Sequence, residues 1–380
     1  MKFVLWGVET KNKGAELMFY AILQEIEKKF PNAEVYIPQS RLKQGLGYMH
    51  TMVNLKYWPF GYLVYKLRLK RIFRRLHLPQ SLLLDTYAAS HADYFIDGSG
   101  FAFSDQWNIK NERVEMWQKL LDRMHRQGTK IVFLPQAFGP VELPNTKRVL
   151  TILNKYANII MPREKVSYNY LAQSGVVDMK KVKLYTDFTS LVEGVVPDKF
   201  AYLKDGVCVI PNLRMIDRGA ISMEKYIELI REIILETQSS GKKVYLLNHE
   251  GINDEQLCYQ VSKAVQNSVK VVTGLNALEV KGLISSAYLV ISSRFHGVAS
   301  ALNSCVPCLS TSWSHKYQEL YNDYKMHDCV LPLDNNKQAM EQIRKYLNTE
   351  KNIEIRNILN EQVPHIKDET REMWRTVWSI

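Results

Sequence analysis

The chain is poor in cysteine: five residues in 380, an odd number scattered from Cys208 to Cys329. That excludes a disulfide framework and points to a reducing compartment. No apolar run is long enough to cross a bilayer. Short repeats and low-complexity tracts are missing. No Gly-x-x-x-x-Gly-Lys-Ser/Thr loop occurs, which argues against nucleotide hydrolysis. Cys305-x-x-Cys308 has no second Cys-x-x-Cys to complete a zinc site, so these thiols read as structural and no metal is expected. Acid is absent from one long stretch: no Asp or Glu lies between Glu34 and Asp85.

That acid-free stretch holds much of the net charge of +11. Lys56, Lys66, Arg68, Lys70, Arg71, Arg74 and Arg75 alternate there with Tyr57, Trp58, Phe60, Tyr62, Tyr65 and Phe73. Basic residues interleaved with aromatics suit an anionic membrane surface, and segment 56–76 is assigned that role. The competing reading is a solvated helix whose apolar face packs on its own domain. No nucleic-acid motif accompanies the charge, so nucleic acid is not an expected partner. The opening MKFVLWGVETKNKG reads as a first strand and its loop, not as a secretory signal. The expected location is the cytoplasm, with peripheral attachment to the inner face of the membrane.

The chain as a whole, 46% hydrophobic and 23% charged, has the composition of an ordinary globular protein. Short β-branched apolar runs alternate with amphipathic segments along the whole chain. Strands are expected at 3–6, 34–37, 94–96, 130–134 and 159–161, with helices at 16–30, 114–127, 143–156 and 166–173. A second series follows, with strands at 207–210, 243–247, 269–272 and 289–291 and helices at 223–239, 254–266 and 278–286. Alternation of this kind predicts an α/β fold with parallel sheets. Two series predict two Rossmann-like domains facing each other across a cleft, at 1–195 and 203–345. A helical segment, 346–380, is expected to pack back on the first domain.

In parallel sheets, ligand loops sit at the carboxyl ends of strands. The unusual residues fall there: Asn12-Lys13-Gly14, Asp97-Gly98-Ser99-Gly100, Gln136, Arg163, His249-Glu250 and the run Ser293-Arg294-Phe295-His296-Gly297. In that last run a strand turns into a helix. A helix start presents free N–H groups that suit an anion. Arg294 adds a fixed fork of positive charge, and His296 adds a side chain that titrates near neutrality. If the junction is extended, the two point the same way and Phe295 points inward. Each has a plainer reading: Arg294 and His296 as a structural pair, Asp97 as a turn cap, Lys316 in a solvated loop, and the tryptophans as core.

These loops, in order, resemble those of the polysaccharide pyruvyl transferase family. The resemblance rests on Asn12-Lys13-Gly14, Asp97-Gly98-Ser99-Gly100, Pro135-Gln136-Ala137-Phe138-Gly139-Pro140, Pro162-Arg163-Glu164 with Ser167, Ser293 to Gly297, and Trp313-Ser314-His315-Lys316-Tyr317. Ala15 stands where the family usually has an acid, and Ser99 interrupts a usually longer glycine run. The resemblance implies a GT-B-like fold. It implies transfer of pyruvate from phosphoenolpyruvate to two sugar hydroxyls, giving a cyclic ketal and phosphate, on a polyprenyl-linked or polysaccharide precursor. Phosphoenolpyruvate would be a co-substrate, with no cofactor.

The donor carries phosphate and carboxylate, so cations are needed: Arg163, Arg294 and Lys316, with the N–H groups at Gly297. Proton transfer falls to His296, and Asp97 is assigned to stabilise developing positive charge or to orient the diol. Asn12, Lys13, Gly14, Gln136, His249 and Glu250 are assigned to the acceptor. A GT-B glycosyltransferase using a nucleotide sugar is the first alternative, and a non-catalytic polyanion- or membrane-binding protein the second.

Overall fold

The computed structural model describes residues 1–37, 54–57, 72, 75, 76, 92–312 and 316–380. Most of the basic-aromatic segment 56–76, together with Trp313, Ser314 and His315, lies outside the described residues. The chain divides into two compact units. The first comprises Met1–Lys11, Met18–Phe188 and Glu369–Ile380; the second comprises Asn12–Leu17 and Thr189–Asp368.

In the first unit six strands form a parallel sheet: β1 (Lys2–Trp6), β2 (Glu34–Ile37), β3 (Asn54–Tyr57), β4 (Tyr94–Asp97), β5 (Lys130–Gln136) and β6 (Ile159–Pro162). Their order is β3-β2-β1-β4-β5-β6. The helices of this part are α1 (Lys13–Lys29), α2 (Asn111–Arg126), α3 (Pro144–Tyr156) and α4 (Lys165–Gln173). Strand β4 is buried at every position, which is why Tyr94-Phe95-Ile96 is an unbroken hydrophobic run before Asp97. Trp117 of α2 anchors the core against Trp6, Phe95, Phe103 and Phe133, with ring centroids 5.5–6.5 Å away.

The second unit holds a five-stranded parallel sheet: β7 (Val207–Ile210), β8 (Val244–Leu247), β9 (Lys270–Val272), β10 (Leu289–Ser292) and β11 (Cys308–Ser310). Their order is β11-β10-β7-β8-β9. Its helices are α5 (Arg214–Asp217), α6 (Met223–Ser239), α7 (Gly251–Ala264), α8 (Ala277–Ser285), α9 (Phe295–Asn303), α10 (Lys316–Asp323) and α11 (Asn336–Leu347). Local chemistry fixes their starts. Ser222 and Asn335 cap α6 and α11, and Asn276 with Glu279 forms a reciprocal capping box on α8.

Helix α12 (Thr349–Trp378) closes the chain. Its early part braces the second sheet: Arg356 donates to the carbonyls of Ala287, Tyr288 and Cys305 just outside β10 and β11. Its last residues belong to the first unit, where Trp378 meets Phe3, Phe30 and Tyr94 edge-on. All five cysteines are free thiols.

Each sheet order reverses at one point, between β1 and β4 in the first unit and between β7 and β10 in the second. In open α/β sheets the loops at such switch points build ligand sites. Here those loops contain Gly7 and the residues directly after Asp97 in one unit, and Asn212 and Arg294 in the other.

Candidate active site

In the second unit, β10 ends at Ser292 and α9 begins at Phe295. Arg294 is extended (φ −112°, ψ 128°), but Phe295 is already helical, so the predicted alternation of side chains stops at the junction. Phe295 is buried as expected. Close packing dictates Gly297: a Cβ there would lie 2.3 Å from Ser292 Oγ. Hydrogen bonds hold the junction from several sides. Asn212 Nδ2 and Tyr317 Oη donate to the Ser293 carbonyl at 2.7 Å each, and Tyr226 Oη lies 2.5 Å from Ser293 Oγ.

The Arg294 guanidinium is claimed by two acids. Its Nε donates to Asp254 Oδ2 at 2.9 Å, a second nitrogen reaches the same oxygen, and the third meets Glu250. Asp254 sits in the first turn of α7 and also accepts the Leu213 N–H at 3.1 Å. One side chain thus ties together the loops after β7, β8 and β10. Burial lowers the Arg294 pKa to about 10, still charged at neutral pH. Asp254 is the residue that sequence reasoning missed. The predicted helix began at 254, whereas α7 starts at Gly251 and places Asp254 on its first turn.

His296, half-buried in the first turn of α9, lies against Gly14. A Cβ on Gly14 would come within 2.2 Å of His296 Nδ1. Gly14 belongs to a segment whose place in the chain predicts the first domain, yet Asn12–Leu17 groups with the second unit. Asn12 forms an antiparallel bridge with Glu250, and the Lys13 N–H reaches the His249 carbonyl at 3.4 Å. Asn12 Oδ1 caps α1 by accepting from the N–H groups of Gly14 (2.9 Å) and Ala15 (3.3 Å). Lys13 Nζ pairs with the buried Glu16 at 2.6 Å.

His249 stands behind this layer, 4% exposed, with Nδ1 buried and without a hydrogen-bond partner among the described residues. Burial, then the positive charge of Arg294 and the nearby His296 and Lys13, hold its pKa well below the ordinary imidazole value. The ring is therefore neutral at physiological pH. Lys316 Nζ lies 5.8 Å from the ring centroids of both Phe295 and Tyr317. The structure thus brings Asn12, Lys13, Gly14, His249, Glu250, Arg294, His296 and Gly297 into one neighbourhood, with Lys316 adjoining through Phe295.

Asp97, Gln136 and Arg163 form a different network, in the first unit. Asp97 is fully buried. Its carboxylate accepts from Ser99 Oγ (2.8 Å), the Ser99 N–H (3.2 Å) and Gln136 Nε2 (3.0 Å). Burial raises its pKa to about 6, against the pull of these donors. Gly7, at φ 78°, approaches so closely that a Cβ would lie 2.1 Å from Ser99 Oγ. Arg163 is 5% exposed, with guanidinium nitrogens 3.7 Å from Glu164 and 3.6 Å from Asp187. Glu164 in turn bonds Ser167, which accepts the Phe138 N–H at 2.7 Å. No group of three or more His, Cys, Asp or Glu poised to hold a metal occurs among the described residues.

Residues 12–315 match the family model of the polysaccharide pyruvyl transferases. Among solved structures, UDP-GlcNAc 2-epimerase from Neisseria meningitidis bound to UDP-GlcNAc is similar at 10% identity and a TM-score of 0.60, over 100% of both chains. Anabaena HepE in complex with UDP and glucose is similar at 12% identity and 0.58, again over 100% of both chains. UDP-GlcNAc 2-epimerase from Methanocaldococcus jannaschii in complex with UDP-GlcNAc and UDP is similar at 12% identity and 0.56, over 92% of this chain and 94% of that one. At such identities the likeness establishes the fold, that of GT-B-type sugar enzymes with two Rossmann-like units. No curated protein matches the chain.

Proposed function

The chain belongs to the polysaccharide pyruvyl transferase family, and we propose that it transfers the pyruvyl carbons of phosphoenolpyruvate to two hydroxyls of a hexose. It is a transferase of polysaccharide biosynthesis. In the proposed reaction the methylene carbon of the donor gains a proton and becomes a methyl group. The neighbouring carbon forms two C–O bonds to the sugar and loses its C–O bond to phosphate. Of the two hydroxyl protons released, one balances the new methyl group and the other leaves with phosphate.

The observation that carries this reading is the close approach of Gly14 to His296, with the neutral, buried His249 and the clamped Arg294 in the same neighbourhood. His296 moves the proton between hydroxyl and methylene. Arg294 and Lys316, with the start of α9, supply the positive charge for the donor's anionic groups. Asp254 and Glu250 fix the fork of Arg294 in one orientation. Asp97, with no exposed surface and its carboxylate held by Ser99 and Gln136, positions the Ser99 loop and reaches the reaction only through it. Arg163 with Gln136 belongs to the same supporting network in the first unit. The acceptor is a hexose of a polyprenyl-linked or polysaccharide precursor, met at the inner face of the membrane. The uncompensated charge of segment 56–76 supports that last assignment. No described helix is long and apolar enough to cross a membrane.

The test is phosphate release from phosphoenolpyruvate over a panel of lipid-linked and free glycosides, for wild type and His296→Ala. Release that requires both a sugar and His296 is expected. No release with any sugar, combined with thermal stabilisation by a UDP-sugar and not by phosphoenolpyruvate, would replace this reading with nucleotide-sugar glycosyl transfer. Membrane attachment is tested separately by vesicle co-sedimentation, and indifference to anionic lipid removes it.

A further inference from the structure

The tryptophans are expected in the core, and among the described residues Trp107 departs furthest from that. Trp107 is 48% exposed, whereas Trp6, Trp117 and Trp374 are buried. It lies in the loop that leaves the carboxyl end of β4, a few residues beyond Asp97-Gly98-Ser99-Gly100.

That loop is built rather than slack. It is stitched to the loop after β5 by backbone bonds of 2.9 Å from Ala137 to Gly100, from Gly139 to Phe103 and from Asp105 to Pro140. Phe103 stacks on Phe138 beneath it, with centroids 5.7 Å apart. Asp105 accepts the Glu142 N–H at 2.6 Å and the Leu143 N–H at 3.2 Å. Ser104, fully buried, caps the turn through the Gln106 N–H, and Asn108 ends it in the left-handed region at φ 41°. The indole is fixed too. Its Nε1 donates to the Phe101 carbonyl at 3.0 Å, and its ring meets Phe101 edge-on at 5.8 Å.

An indole held this firmly with much of its surface in water is a preorganised contact surface. The entropy of ordering it is already spent in folding. Its neighbours in the turn, Gln106 and Asn108, are both exposed. Each carries a planar amide that can donate and accept at once. An aromatic face beside two amides matches one ligand chemistry well: a hexopyranose, with an apolar C–H face and a rim of hydroxyls. One indole offers too little area for a stable protein interface.

We propose that Gln106, Trp107 and Asn108 form a saccharide subsite, in which the indole receives the C–H face of a hexopyranose of the acceptor glycan. The assignment of that sugar to the acceptor rests on the transfer reading above; the binding itself does not. Fluorotryptophan-labelled full-length protein is titrated with methyl hexosides and hexose di- and trisaccharides and followed by fluorine NMR. The Trp107 resonance is identified by its loss in Trp107→Phe. Saccharide-dependent movement of that resonance is expected. In the phosphate-release assay, Trp107→Ala should raise the saccharide KM about tenfold, from the size of an aromatic contact. KM for phosphoenolpyruvate and kcat should hold, and Trp107→Phe should recover most of the loss. A Trp107 resonance indifferent to every saccharide, or an unchanged saccharide KM in Trp107→Ala, overturns the proposal. Movement of the resonance in a protein that releases no phosphate would instead sink the transfer reading and leave the subsite standing.

Discussion

Replacing Gly14 by alanine isolates the placement of His296. The new methyl carbon would lie 2.2 Å from Nδ1, 2.8 Å from Cγ and 3.0 Å from Cε1 of the imidazole. Ordinary contact lies near 3.5 Å, so the ring must retreat by roughly 1 Å. A misplacement of about 1 Å in a reacting group costs on the order of a hundredfold in rate. Gly14 has no positive φ to lose. Near a helix start the change gains at most about 1 kcal/mol of propensity. Overpacking costs about 1–3 kcal/mol, so the melting temperature should fall by only about 4 °C or less. Phosphate release, measured at saturating donor and acceptor, should therefore drop about a hundredfold in a protein that stays folded. If the effect runs through the ring, Gly14→Ala combined with His296→Ala should be no slower than His296→Ala alone. A Gly14→Ala enzyme with wild-type kcat, or a double variant in which the two losses multiply, refutes the argument.

Arg294→Lys replaces a three-nitrogen fork by a point charge that cannot serve Asp254 twice and Glu250 once. The expected loss is about 3 kcal/mol, read from the urea midpoint, and an unchanged midpoint counts against the clamp. Asp97, raised to about 6, keeps a proton in the folded chain between about pH 4 and pH 6 that the unfolded chain gives up, so its contribution declines as pH rises through that window. The stability difference between wild type and Asp97→Asn should shrink by about 3 kcal/mol from about pH 4 to pH 7; a difference constant with pH refutes this. His249 slopes the other way. Its folded pKa is depressed, so an unfolded imidazole takes a proton that the folded ring refuses, and stability falls as pH drops below about 6.5. His249→Gln should flatten that acid limb in chemical denaturation, and parallel curves for the two proteins would show the ring is not held neutral.

The strands were legible where both faces are covered, as in the apolar runs Tyr94–Ile96 of β4, Val207–Ile210 of β7 and Leu289–Ile291 of β10. Strand β3 was not. Asn54-Leu55-Lys56-Tyr57 is short and polar at alternate positions, and the surrounding basic run suggested a surface segment. The turn from β10 into α9 announced itself through Arg, His and Gly between an apolar run and a small-residue helix. Asp254 looked like an ordinary first-turn acid, because nothing local distinguishes an acid that neutralises a helix end from one that grips an arginine 40 residues away. The grouping of Asn12–Leu17 with the second unit was equally silent. Contacts between residues hundreds of positions apart leave no periodicity to read. Trp107 shows the converse: composition assigns tryptophan to the interior, and only the stitched loops keep this one in solvent.

The contact between Gly14 and His296 also sets a timetable for the growing chain. About 280 residues separate the two. At about 5–20 residues per second, the first turn of α1 emerges from the ribosome on the order of half a minute before the imidazole that it must cradle. Through that interval β1 to β6 are already made, while Asn12–Leu17 has none of its partners from the second unit. The candidate site is therefore among the last parts of the molecule to exist, and a nascent chain interrupted before β10 would lack both the imidazole and the end of α12 that completes the first unit.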